Sequence, residues 1–159
     1  MRGLTVNDFK KFLLAGVDAA KTAAANKKEI YDVINEVDKQ LSEVYESKVH
    51  FGIWNLTRMI KPKNKNVFTS TLSALSFESE DYQGLSITDH ENKNPIALAD
   101  WYMSENGYPC KIIMDGGESF CSDKDELENE IASLLSHVRT GKAILKKLEE
   151  FEKSQTKED

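Results

Sequence analysis

The chain has 159 residues, 40% of them hydrophobic and 30% charged, with a formal net charge of −6. That length builds one domain with a core of its own, and the composition is neither that of a disordered tail nor that of a membrane protein. No stretch approaches the roughly 20 consecutive apolar residues of a bilayer span.

The charge is distributed unevenly. Residues 1–66 carry 12 basic and 8 acidic side chains, residues 67–130 carry 3 and 14, and residues 131–159 carry 6 and 5. So acidic a middle repels a phosphate backbone, which leaves only the two ends of the chain for any nucleic-acid contact. Near the N-terminus the apolar run at 12–17 is short for an export signal and is flanked by Asp8 and Asp18. Two cysteines are too few for a secreted disulfide scaffold, so the expected location is cytoplasmic.

The first third reads as helix. Apolar or small residues recur at Phe9, Leu13, Gly16, Ala20 and Ala23, then at Ile30, Ile34, Val37, Leu41 and Val44. Their alternating spacing of four and three is the seam of a coiled coil, broken only at Lys27. Asn26 and Glu29 also have capping-box spacing, so the segment is either one helix over about 7–47 or two divided near 22–26. One helix of that length extends ~60 Å at 1.5 Å per residue, longer than a compact domain of this size. It then needs a partner chain along its seam. Self-association through Ile30, Ile34, Val37, Leu41 and Val44, giving a homodimer, is the resulting expectation.

The middle, 48–122, reads as β-rich. Residues 49–60 begin with strand alternation at Val49, Phe51 and Ile53, although Ile53, Leu56, Met59 and Ile60 are also spaced like a helix turn. Residues 67–79, rich in Thr, Ser and apolar side chains, read as a long strand, followed by strands around Leu85–Ile87 and over 96–103. The short turns between successive strands favour antiparallel pairing. In 110–121 a hairpin turns at Asp115-Gly116-Gly117. A two-residue type I′ turn at Asp115-Gly116 sets Cys110 opposite Cys121. A three-residue loop instead pairs Ile112 with Phe120, and that register is preferred on apolar burial.

The last segment, 123–152, is helical, with Asp123 and Glu126 as a capping box and Leu127, Ile131, Leu134, Val138, Gly141, Leu145 and Leu148 as a second seam. Thr140-Gly141 marks a possible division into two helices. Beyond Glu149 the apolar face stops, and 153–159 is expected to fray. The whole reads as one α+β domain: a long or broken N-terminal helix, a central antiparallel sheet of four to six strands, and a C-terminal helix or helix pair.

Motifs of known chemistry are missing: there is no phosphate-binding glycine loop, no His-Glu-x-x-His, no Cys-x-x-Cys and no Gly-x-Ser-x-Gly. Asp89, His90 and Glu91 form a polar turn better read as solvated than as metal-ligating, so no metal, cofactor or catalytic residue is assigned. What remains are surfaces. Glu78, Glu80, Asp81, Glu105, Glu118 and Glu128 are candidates for an acidic face toward a basic protein partner, with Trp101 and Tyr102 as aromatic anchors. Alternation along the strand puts one of those two rings in the core and the other outside. Arg58, Lys61, Lys63 and Lys65, near Trp54, are the alternative, a nucleic-acid contact. The favoured function is a non-enzymatic accessory protein, an adaptor or inhibitor that self-associates through its helices.

Overall fold

The N-terminal seam forms one unbroken helix, α1 (Val6–Val44), of 39 residues. A computed structural model of the chain describes residues 6–60 and 78–156. Within α1 the Ala-rich stretch 19–25 has the highest helix propensity of any residue type and carries the helix through the point where it was free to divide. Asn26 is not a cap. Its side-chain amide donates to the Asn106 carbonyl at 3.1 Å, and Glu29 accepts from the Tyr108 hydroxyl at 2.8 Å.

Five strands follow, β1 (His50–Ile60), β2 (Glu78–Thr88), β3 (Ile96–Ser104), β4 (Gly107–Met114) and β5 (Gly117–Cys121). They form an antiparallel meander in the order β1-β2-β3-β4-β5. The segment 49–60 is therefore strand from His50 onward. Of the strand read at 67–79, only Glu78 and Ser79 fall within the described residues, as the start of β2. β1 and β2 pair over their full length, whereas β3 joins β2 only from Gln83 onward. Residues 56–60 and 78–82 thus run on as a two-stranded ribbon past the sheet. A bulge between Leu85 and Ser86 shifts the register, so that Leu85 faces Ala99 and Ser86 faces Ala97 while buried Leu98 lies between them.

The β4–β5 hairpin corrects the expected register. Asp115 and Gly116 both take positive φ, 53° and 80°, as a type I′ turn demands. Met114 then pairs with Gly117, Ile112 with Ser119 and Cys110 with Cys121. Phe120 consequently points to the outer face and is 59% exposed, so the turn geometry outweighs the burial of one ring.

Two helices close the chain, α2 (Lys124–Leu135) and α3 (Val138–Thr156). Asp123 caps α2 by accepting from the Glu126 N–H at 2.8 Å, and Glu126 reaches back to the Ser122 N–H at 2.6 Å. The division between the helices falls at Ser136-His137, four residues before Thr140-Gly141. Ser136 and Thr140 supply hydroxyl donors to the carbonyls of Ala132 and Leu134, which lie in the last turn of α2. α3 continues past Glu149 to Thr156, and Phe151 on it packs edge-on against His90, with ring centroids 5.1 Å apart.

α1 packs on β1 and β4, and α2 packs on β5 and α1. Ile30 and Ile34 from α1 and Leu127 and Ile131 from α2 meet Phe51, Leu85, Ile87, Trp101 and Ile112 in one core. Full burial of such a side chain stabilises the fold by about 1.5–3 kcal/mol. α3 lies against β2 and β3. Asp38 ties α1 to the start of β1, accepting from the Phe51 N–H at 3.0 Å and lying 3.1 Å from His50 Nδ1.

Candidate interaction surfaces

Only the C-terminal half of α1 lies on the sheet. Every residue from 9 to 22 is exposed. Phe9, Phe12 and Leu13 are 52%, 60% and 70% exposed, and Leu14 and Val17 are 67% and 53% exposed. A Cβ built on Gly16 would meet nothing within 4 Å. This arm of about four turns leaves the body carrying large apolar side chains that no other part of the described chain covers. Phe9, Leu13 and Gly16 belong to the seam read from sequence; Phe12, Leu14 and Val17 lie beside it and widen the apolar face. Exposed apolar surface on this scale marks an interaction site.

The other half of the seam is used within the chain. Ile30 is 0% and Ile34 is 3% exposed, both turned to the chain's own sheet, so neither is free to face a partner helix. Val37 and Leu41 are half-buried and Val44 is exposed; these three help to line a groove between α1, α2 and α3. The groove has a volume of about 530 Å³, and its α2 and α3 walls include Ile131, Leu135 and Ile144. Glu36, Gln40 and Glu128 belong to its polar lining, and among the described residues no basic one lines it.

The two aromatic anchors separate as strand alternation requires. Trp101 is buried in the core, 5% exposed, and is thereby removed as a partner contact, while Tyr102 is 56% exposed on the outer face. Lys111 sits beside it, its ammonium 5.3 Å from the Tyr102 ring centroid and 5.9 Å from that of Phe120. The acidic candidates do not form one face. Glu80 and Asp81 lie on opposite faces of the β1–β2 ribbon, bound to Arg58 and Thr57, and Glu78 lies at its tip. Glu105 is in the β3–β4 turn and Glu118, near Lys111 at 3.8 Å, is beside the β4–β5 turn at the opposite end of the sheet. Glu128 is on α2, 3.8 Å from Lys124.

Arg58 is held by two carboxylates, Glu80 at 3.0 Å and Asp100 at 2.8 Å, and stacks over Tyr82 at 4.3 Å. Those hydrogen bonds raise its pKa, and they engage the guanidinium that a phosphate would need. Lys61, Lys63 and Lys65 lie outside the described residues.

Cys110 and Cys121 are opposite one another, buried and not bonded. Burial, with the nearby Cys121 sulfur, pushes the Cys110 thiol up to about 12. Burial first, then Glu130, Glu126 and Asp123, pushes Cys121 up to about 11. Buried and held far from ionising, both thiols pack as small apolar side chains. His50 lies beside Asp38, while His137 accepts from the Arg139 N–H at the start of α3, so the two histidines serve separate structural contacts. Among the described residues no three His, Cys, Asp or Glu side chains gather in a group able to hold a metal ion, and no helix is long and apolar enough to cross a membrane. Comparison with protein-family models, with curated proteins and with solved structures finds no match to this chain.

Proposed function

We propose that this protein is a non-enzymatic interaction protein that self-associates through α1 and presents its β-rich surface to a partner with a basic surface, as an adaptor or inhibitor. The observation that carries the reading is the free arm of α1, with Phe9, Phe12 and Leu13 more than half exposed. A single helix of this kind is marginal in water on its own, and an apolar face covered by a second helix removes both that cost and the exposure. The exposed Tyr102 and Phe120 rings on the outer face supply the partner surface, and the chain's net charge of −6 favours a basic partner. Light scattering on wild type and on Leu13→Lys tests the association. Wild type runs at twice the monomer mass at tens of micromolar and Leu13→Lys at the monomer mass. A monomeric wild type refutes the reading.

A further inference from the structure

The arm and the groove are two uncovered apolar features of the described chain, apart from the Tyr102 and Phe120 rings, and they match each other. Over residues 9–22 the arm carries Lys10, Lys11 and Lys21 against the single acid Asp18. Among the described residues the groove lining carries Glu36 and Glu128 and no base, with Lys124 3.8 Å from Glu128 at its edge. The arm offers Phe9, Phe12 and Leu13 at the spacing by which an amphipathic helix enters a groove.

Within one chain they cannot meet. Leu13 and Val37 sit on the same unbroken helix, 24 residues and ~36 Å apart at 1.5 Å per residue. A second copy of the chain removes the obstacle. If two α1 helices lie antiparallel with Leu13 opposite Val37, Phe9 falls opposite Leu41 and Val17 opposite Val33. The two-fold axis then passes through Ala25, the midpoint of α1. In such a dimer each copy gives its arm to the other's groove, and the contact closes on itself without leaving an arm for a third copy. The Ala-rich stretch 19–25 lies where the helices come closest, with side chains small enough to permit it.

We infer that the groove between α1, α2 and α3 is the seat for the α1 arm of a second copy, in a reciprocal antiparallel dimer. This deepens the self-association reading and rests on it. Wild type is a dimer in which Lys10 of each copy lies level with Gln40 of the other, one helix turn from Glu36 at the rim of the groove.

Charge reversal tests the pairing by sedimentation equilibrium. Lys10→Glu weakens the dimer by about threefold, and so does Glu36→Lys. The chain carrying both changes regains most of the wild-type affinity, because the two rim charges are opposite again. Both side chains are exposed, and circular dichroism checks that helix content is unchanged. A wild-type dimer that is indifferent to Glu36→Lys overturns the seat while leaving self-association standing, and so does failure of the double variant to recover. A wild type that is monomeric removes both, leaving arm and groove to a different protein.

Discussion

Gly107 is pressed against Asn26: a Cβ built on the glycine would lie 2.8 Å from the Asn26 Cβ and 3.2 Å from its carbonyl carbon. The β3–β4 turn thereby meets α1 just where the helix leaves the sheet to become a free arm. Beside this contact the Asn26 amide reaches the Asn106 carbonyl and the Tyr108 hydroxyl reaches Glu29. The base of the arm is thus clamped by one turn of the sheet, which fixes the direction in which the arm projects.

Gly107→Ala opposes that clamp in two ways. The residue has φ of 87°, where an L side chain is strained, and the new methyl meets helix backbone. A loss of about 1–3 kcal/mol is expected from the backbone alone. Urea unfolding monitored by circular dichroism checks it, and an unchanged midpoint would show that the turn relaxes away from α1.

Tyr108 gives the clamp a pH limit. Burial first, then the hydrogen bond to Glu29, raises its phenol above the ordinary value near 10. A folded-state pKa above the unfolded one makes the neutral phenol the native form. Its stabilisation is complete below about pH 10 and declines as pH rises from there toward the folded value. Wild type should therefore lose more stability between about pH 9 and pH 11 than Tyr108→Phe. Parallel melting curves for the two proteins over that range would contradict it.

Asp89 sets an opposite limit at low pH. Burial acts to raise its pKa, but hydrogen bonds from Asn94 and from the Lys93 and Glu91 N–H groups, with the Lys147 charge, lower it overall. A depressed carboxylate stabilises the fold above about pH 4 and ceases to as pH falls through its native value. Asp89→Asn keeps the shape and loses the charge-assisted bonds, at a cost of about 1.5–3 kcal/mol near neutrality. The gap between mutant and wild type should close in acid; a gap independent of pH counts against the charge.

The two thiols should be silent in the native protein. With Cys110 near 12 and Cys121 near 11, both buried, neither reacts measurably with a thiol reagent at pH 8, and both react once urea unfolds the chain. Rapid labelling of either cysteine in the native state would mean that the β4–β5 edge opens locally.

The period-2 and period-3.6 patterns carried the element order, because local geometry alone decides which faces of a helix or strand are apolar. The separation of Trp101 from Tyr102 was legible for that reason, while the Asp123 cap was legible from its capping-box spacing with Glu126 and the antiparallel pairing from the short turns. The β4–β5 register was not. Ile112 against Phe120 looked better as a pair, yet positive φ at Asp115 and Gly116 set the pairing and sent Phe120 outward. The dispersal of the acidic residues was equally hidden. Sequence neighbours such as Glu80 and Asp81 take opposite faces, and Glu105 and Glu118 fall at opposite ends of one sheet.

The seam of α1 shows the division most plainly. Sequence alone determined that residues from Phe9 to Val44 would form an apolar stripe, since four–three spacing is a property of the helix and of nothing beyond it. It held no information on what covers that stripe. Only the tertiary structure decided that Ile30 and Ile34 belong to the chain's own sheet and that Phe9, Phe12 and Leu13 stand free. The reason is one of reach: a sheet of five strands covers only the half of a 39-residue helix that lies across it, and leaves the other half uncovered by the described residues.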